Sequence, residues 1–223
     1  MNNALLVFAK RPTPGRVKTR LVPPLSPENA AELYARMQLD IFAKVGHLAG
    51  VDSFVCYDPA DGAAEYFATN VRTARLFPQA GANLGERMAN AFSQVFQRGY
   101  QSVAIIGTDS PDLPAAFIEE AYARLARPAV DAVFGPSEDG GYYLLAMKRL
   151  LPELFAAIPW STDAVLARSL ARAAAAGIAV ELLPAWYDVD EAADLHRPGL
   201  VAPGNGAPLT RKFLLAYLTT VTS

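Results

Sequence analysis

A single cysteine, Cys56, in 223 residues rules out internal disulfides and any cysteine-based zinc site. It sits in the apolar run Phe54-Val55-Cys56-Tyr57 and reads as a small buried hydrophobe. The two histidines, His47 and His196, have no neighbouring ligand set and read as structural or surface positions, and no serine–histidine–acid hydrolase pattern stands out. No apolar stretch approaches the ~20 residues that a membrane-spanning helix needs. The N-terminal residues lack a basic n-region and a small-residue cleavage site, so no secretory signal is expected and a cytoplasmic location is. A net charge of -2 and a pI near 5.7 give no bulk attraction to nucleic acid or anionic membrane. Phosphate recognition must then be local, and a small ligand fits better than a polymer.

The chain is rich in buried-type residues: 52% are hydrophobic, ample for one continuous domain core over residues 1–223. Ala4 to Ala9 is a short, unbroken apolar run that suits a strand covered on both faces. Ser26-Pro27-Glu28 supplies an N-cap, a proline at the first helical position and an acid in the first turn of a helix reaching about Val45. Strands are expected at 52–57, 71–77, 102–106, 129–135, 142–147 and 179–183. Helices are expected at 63–68, 85–96, 115–125, 162–176 and 209–220, with a helical turn at 191–196. Residues 198–208, rich in Gly and Pro, read as a mobile loop. Alternating strands and helices imply an α/β fold with a mostly parallel sheet between helical layers. Tyr142 to Met147 follows its predecessor without a helix between, so the sheet is expected to be mixed.

Two acidic sites close apolar runs: Gly107-Thr108-Asp109-Ser110-Pro111-Asp112 and Tyr187-Asp188-Val189-Asp190. Open α/β sheets bind ligands outside the carboxyl ends of their strands, and carboxylates there suit a hard cation, Mg²⁺ or Mn²⁺. Asp109 is the stronger metal candidate, with Asp188 and Asp190 as further ligands; Asp190 also reads as a helix N-cap, and Asp112 equally as ligand or cap. The loop Lys10-Arg11-Pro12-Thr13-Pro14-Gly15-Arg16-Val17-Lys18-Thr19-Arg20 supplies the opposite charge, with Gly15 allowing close backbone approach to phosphate. It is not a P-loop, which needs adjacent Gly-Lys and a helix directly after; here Pro23-Pro24 blocks one.

Three further segments carry candidates. Asn83, Gly85 and Arg87 end a strand and open a helix where a base or phosphate could be read. Glu138 and Asp139, followed by Gly140, Gly141 and Tyr142, combine possible base catalysts with glycines that permit close substrate approach, although a hairpin turn also accounts for Asp139-Gly140. Trp160, Ser161 and Thr162 could line an acceptor pocket, or the latter two could cap the next helix.

Four motifs in order, Phe-Ala-Lys-x-Pro-x-Pro-Gly-x-Val-Lys-Thr-Arg-Leu at 8–21, Gly-Thr-Asp-Ser-Pro-Asp-Leu-Pro at 107–114, Gly-Pro-x-x-Asp-Gly-Gly-Tyr-Tyr at 135–143 and Asp-Val-Asp-x-x-x-Asp-Leu at 188–195, resemble the DUF2064 family. That family is described as glycosyltransferase-like, within the nucleotide-diphospho-sugar transferase superfamily of GT-A fold. The resemblance implies a GT-A-like three-layer α/β/α sandwich and a superfamily that includes both sugar transferases and nucleotidyltransferases. It also implies that the loop from Ala9 and Lys10 through Arg11, Gly15, Lys18 and Thr19 to Arg20 takes the place of the glycine-rich phosphate loop, with Asp109 as the metal-binding acid after the central strand. A single glycine in that loop favours sugar transfer over pyrophosphate-releasing chemistry.

The expectation is therefore a metal-dependent transferase that binds a nucleoside diphosphate-sugar and passes the sugar to a small acceptor, with Glu138 or Asp139 activating the acceptor hydroxyl. The alternatives are a guanylyl- or cytidylyltransferase-like enzyme and a non-catalytic nucleotide-binding module.

Overall fold

The structure, a computed structural model, describes residues 2–221. Its strands are β1 (Asn3–Ala9), β2 (Val51–Tyr57), β3 (Arg75–Pro78), β4 (Ser102–Ile106), β5 (Ala132–Pro136), β6 (Tyr142–Met147) and β7 (Val180–Leu182). They form one sheet in the order β3-β2-β1-β4-β6-β5-β7, in which β6 alone runs antiparallel to its neighbours β4 and β5. The mixed sheet arises where expected: β5 and β6 are joined by a short hairpin rather than a crossover helix, and parallel neighbours need a crossover.

Helices α1 (Pro27–Val45), α2 (Ala63–Asn70), α3 (Leu84–Phe96), α4 (Ala115–Leu125), α5 (Val165–Ala175), the single turn α6 (Pro198–Val201) and α7 (Pro208–Val221) complete the order. The sheet's period of two divides the core between its faces. Leu5, Val7 and Ala9 pack with Ile41, Phe42 and Val45 of α1 and Ile118, Ala121 and Leu125 of α4. Ala4 and Leu6 face the other way, onto Met88, Ala91, Phe92 and Val95 of α3. Cys56 is fully buried in that second layer, as its apolar run implies. This three-layer α/β/α arrangement with a mostly parallel mixed sheet matches the expected fold class.

Several boundaries move for local reasons. The expected strand over 71–77 shortens to β3 because α2 continues to Asn70, and the N–H of Val71 still closes on the Phe67 carbonyl at 2.9 Å. The strand expected at 129–135 begins at Ala132, because the Val130 N–H turns back to the Arg127 carbonyl at 3.2 Å. The helix expected from Thr162 starts at Val165: the Thr162 hydroxyl donates to the Pro159 carbonyl at 2.8 Å and accepts from the Ala164 N–H at 3.3 Å, closing a separate turn first.

Residues 198–208 contain α6 and are pinned by Asn205, whose amide donates to the carbonyls of Gly199 (3.1 Å) and Leu200 (2.8 Å). The next helix, α7, is capped from another element. Buried Asp40 on α1 accepts the N–H groups of Leu209 (3.0 Å) and Thr210 (2.8 Å) and the Thr210 hydroxyl (2.7 Å), satisfying donors that a helix start leaves open. Among the described residues no helix is long and apolar enough to cross a membrane.

Candidate functional site

The carboxyl ends of β1 and β4 lie side by side at the centre of the sheet, where their connections leave in opposite directions and open a crevice. After β1 the chain runs out into the basic loop and returns through Lys18, which adopts a left-handed backbone (φ 48°). That conformation turns the Lys18 side chain inward until only 4% of it is exposed. Its ammonium meets the carboxylate of Asp109, just past β4, and that of Asp190 at 2.6 Å. Burial alone would lower the Lys18 pKa, but the charges of Asp109 and Asp190 outweigh it and hold the ammonium protonated. The Tyr34 ring of α1 lies 5.6 Å beneath the ammonium, and its hydroxyl shares a 2.8 Å hydrogen bond with Thr108 and accepts the Lys10 N–H at 3.3 Å.

The two acidic motifs are one structural unit. The Val189 N–H donates to the Asp109 carbonyl at 2.8 Å, so the segment after β7 lies alongside the loop after β4. Asp188 is fixed between two hydroxyls, accepting from Ser110 and from Ser137, each at 2.6 Å. Burial raises its pKa to about 6; the two hydroxyls oppose the rise, and the charges of Asp109 and Asp139 add to it.

Asp112 does not cap α4, whose N-cap is Pro114. It is buried, accepts the Tyr187 hydroxyl and the Trp186 indole N–H (3.4 Å), and so ties the same two segments together. Asp190 is not the N-cap of the turn that follows; Glu191 caps it, and the Asp194 carboxylate accepts the N–H groups of both Asp190 (3.0 Å) and Glu191 (2.8 Å). The Asp190 side chain is thereby left for Lys18. Lys44 braces the β4 loop from behind, donating to the carbonyls of Pro111 (2.7 Å) and Leu113 (2.6 Å); burial lowers its pKa to about 8 against the pull of Asp112 and Asp40.

A cleft of about 920 Å³ opens over this centre, within the range of small-molecule sites. Ala9, Lys10, Arg20, Asn83, Arg87, Asp109, Asp139, Gly141, Tyr142, Trp160, Ser161, Thr162, Asp188 and Asp190 line it, so most of the residues expected from the sequence converge here. Lys18 and Thr19 line an adjoining hollow of about 300 Å³ that shares Lys10, Arg20, Tyr34, Asp109 and Asp190.

Five expected residues stand elsewhere. Arg11 donates to the Asp61 carbonyl at 2.5 Å across Gly62, and Gly15 is an exposed turn residue with φ 72°. Glu138 lies off the cleft wall, paired with Arg197 at 2.9 Å. Gly85 is behind the wall: a Cβ there would lie 2.6 Å from the Trp160 indole, which rests on the start of α3. Gly140 seats the same strap from the other side. Its φ of +87° favours glycine, a Cβ would meet the Asp163 carbonyl at 2.0 Å, and its own carbonyl accepts the Leu166 N–H at 2.9 Å.

At the β2–β3 end, Arg87 is aimed by Asp58 (3.1 Å), the Gln79 side-chain oxygen (3.4 Å) and the Gly81 carbonyl (3.2 Å). Asn83 is the N-cap of α3, its side-chain oxygen accepting the Glu86 N–H at 3.0 Å. Nothing in the sequence marks Tyr34 or Asp163, and Ser110 and Ser137 stand in motifs without a role of their own. Tyr34 lies among the buried residues of α1 without a distinguishing pattern, and the serines are ordinary turn residues until Asp188 is seen between them.

Two carboxylates from separate loops point at one cationic position now filled by an ammonium, and hard oxygen donors of this kind fit Mg²⁺ or Mn²⁺. Among the described residues no three His, Cys, Asp or Glu side chains form a ready-made metal cage. A metal held here by Asp109 and Asp190 would complete its shell with water and ligand phosphate, as Mg²⁺ commonly does.

The chain is a transferase-like enzyme with the nucleotide-diphospho-sugar transferase fold. The DUF2064 family model, described as an uncharacterized protein conserved in bacteria, matches residues 41–162, and the chain belongs to that family. A protein from Desulfovibrio desulfuricans G20 assigned as a nucleotide-diphospho-sugar transferase is similar at 30% identity and a TM-score of 0.86, over 97% of this chain and 98% of that one. The fold is shared with a cytidylyltransferase from Leptospira borgpetersenii at 10% identity and a TM-score of 0.63, over 100% and 95% of the two chains. It is shared also with a mannosyltransferase from Pyrobaculum calidifontis in complex with GDP-Man and Mn²⁺, at 14% identity and a TM-score of 0.50, over 99% and 75%. No curated protein matches the chain.

Proposed function

We propose that the protein transfers the sugar of a nucleoside diphosphate-sugar to the hydroxyl of a small acceptor, with Mg²⁺ or Mn²⁺ held by Asp109 and Asp190. The observation that carries this reading is the convergence of those two carboxylates on the Lys18 ammonium at the head of the 920 Å³ cleft. The nucleotide lies over Ala9 and toward Asn83 and Arg87, and the diphosphate against Lys10, Lys18, Thr19 and Arg20. The mannosyltransferase that shares the fold binds GDP-Man and Mn²⁺, which agrees with this donor class and metal.

Asp109 and Asp190 would hold the divalent ion, which would offset charge on the diphosphate. The chain's own residues do the rest. Lys10, Lys18 and Arg20 hold the phosphates and stabilise the leaving diphosphate electrostatically. Trp160, Gly141 and Tyr142 confine the acceptor over the anomeric carbon. The acceptor oxygen forms its bond to that carbon as the bond to the β-phosphate oxygen breaks, its electron pair leaving on the diphosphate. The hydroxyl proton passes to Asp139, which lines the cleft; one of its oxygens accepts the Gly141 N–H at 2.9 Å, and the other has no hydrogen bond among the described residues. Glu138, engaged with Arg197, holds the rim.

Incubation with a panel of sugar nucleotides, Mn²⁺ or Mg²⁺ and a mixed acceptor pool tests the reading. Nucleoside diphosphate release that requires both metal and acceptor is expected. Pyrophosphate release from a nucleoside triphosphate, in place of diphosphate release from any sugar nucleotide, would overturn it in favour of nucleotidyl transfer.

A further inference from the structure

The cleft wall is divided by charge along the sheet. Its three cationic side chains, Lys10, Arg20 and Arg87, all come from segments attached to β1 and β3. Its five acids, Asp109, Asp139, Asp163, Asp188 and Asp190, all come from segments that follow β4, β5, β6 and β7. Among the described residues the half over β4 to β7 contributes no lysine, arginine or histidine to the wall. Lys18 answers Asp109 and Asp190, and Arg197 is already engaged by Glu138 and Asp194. Asp139 and Asp163 line that half and form no ion pair among the described residues, so their charge there is uncompensated.

The same half is built to receive a molecule. Trp160 supplies an aromatic wall seated on Gly85, and Ser161 and Thr162 add hydroxyls beside it. An aromatic face with hydroxyl and carboxylate neighbours suits a polyhydroxylated compound, since carboxylates accept hydrogen bonds from its hydroxyls and carry no donor for an anion.

We infer that the acceptor is a hydroxyl compound without phosphate or carboxylate groups, neutral or carrying an amine, and that Asp139 and Asp163 exclude anionic acceptors. This rests on the sugar-transfer reading for which half holds the donor and which the acceptor. The donor diphosphate is placed where Lys10, Lys18 and Arg20 meet the Asp109–Asp190 pair, while an acceptor bearing its own phosphate would meet the uncompensated charge of Asp139 and Asp163, an effect that sets specificity by repulsion. The sugar-bearing donor and the acceptor are thus sorted by sign before any contact with the sugar ring discriminates them.

Acceptor binding is measurable without any donor, by calorimetry and intrinsic tryptophan fluorescence at low salt, with glucosamine, glucose and glucose 6-phosphate as probes. Glucosamine is expected to bind most tightly and glucose 6-phosphate at least about tenfold more weakly than glucose (~1.4 kcal/mol). The double variant Asp139→Asn/Asp163→Asn should shrink that gap to less than about threefold, and rising salt should narrow it in the native protein by screening. Glucose 6-phosphate binding as tightly as glucose, no detectable binding of any probe, or a gap untouched by the double variant would each overturn the inference. The expected order together with no diphosphate release from any sugar nucleotide would refute the transfer reading by itself, so the two failures are told apart.

Discussion

Nζ of Lys18 lies 2.6 Å from Oδ1 of Asp190, 172 residues further along the chain, and the same ammonium meets Asp109. Three segments, the loop after β1, the loop after β4 and the return segment after β7, are thus joined at one buried charge. Asp109→Asn should lower metal-dependent turnover by about 10²–10³-fold, the scale of losing one electrostatic contact to developing charge. Both carboxylates are 43% exposed, so solvent screening limits the accompanying loss of stability to about 1–2 kcal/mol. Steady-state kinetics beside a denaturant titration separates these two effects; equal losses in binding, turnover and stability would make Asp109 purely structural.

Lys18 and a divalent ion compete for the same two carboxylates, since both cannot sit between Asp109 and Asp190. The native protein should therefore bind Mn²⁺ weakly until a nucleotide phosphate draws Lys18 away. Lys18→Met should bind Mn²⁺ at least about tenfold more tightly in the absence of nucleotide, because the bound ion no longer displaces a charge-assisted contact. Calorimetric titration with Mn²⁺ alone reads this directly. Unchanged affinity would mean that the ammonium does not occupy the metal's place.

The framework was largely legible because buried strands are short apolar runs whose ends are marked by turn residues, and Asp109 follows such a run at Val103–Ile106. Its role as an acid at the sheet end needs only local sequence and a fold rule. Asp188 and Asp190 were legible as acids but not by their partners, since capping chemistry and ligand chemistry use the same residues. Only the tertiary arrangement shows Glu191 and Asp194 doing the capping, Ser110 and Ser137 holding Asp188, and Lys18 claiming Asp190. Gly85 shows the same limit. It reads as a glycine near a phosphate, and its reason is the Trp160 indole from a segment 75 residues away, a packing relation that no local pattern encodes.

The pH dependence of stability should carry the mark of Asp188. Its pKa in the folded protein is about 6, above the ordinary 3.8, so between these values the folded state holds a proton that the unfolded state has released. Folding is therefore favoured at the acid end of this window and loses stability as pH rises from about 4 to about 6. A shift of this size, discounted for solvent access, corresponds to about 1–2 kcal/mol. With metal removed by chelator, Asp188→Asn should flatten this segment of the stability curve relative to the native protein and raise the melting temperature near neutral pH by about 2–4 °C. Parallel curves for the two proteins across the window would show that Asp188 titrates normally.

Gly140 seats the segment from Trp160 to Leu166, which carries the proposed acceptor wall. An alanine there would need the strained backbone of φ +87° and would drive its Cβ to 2.0 Å from the Asp163 carbonyl, where backbone rather than a flexible side chain must move. The consequence is local, because Gly140 contacts the strap at Asp163 and Leu166, whereas the phosphate loop and Lys18 lie against Asp109 and Asp190. Gly140→Ala should cost about 2–4 kcal/mol of stability and displace Trp160, Ser161 and Thr162 from the acceptor wall. Sugar-nucleotide binding, followed by calorimetry, should stay within about threefold of the native protein, while kcat/KM for the acceptor falls by at least about 10²-fold, the size of effect expected from misplacing a positioned substrate. Equal losses on both measurements would mean that the strap supports the nucleotide as well, and that donor and acceptor do not occupy separate halves of the cleft.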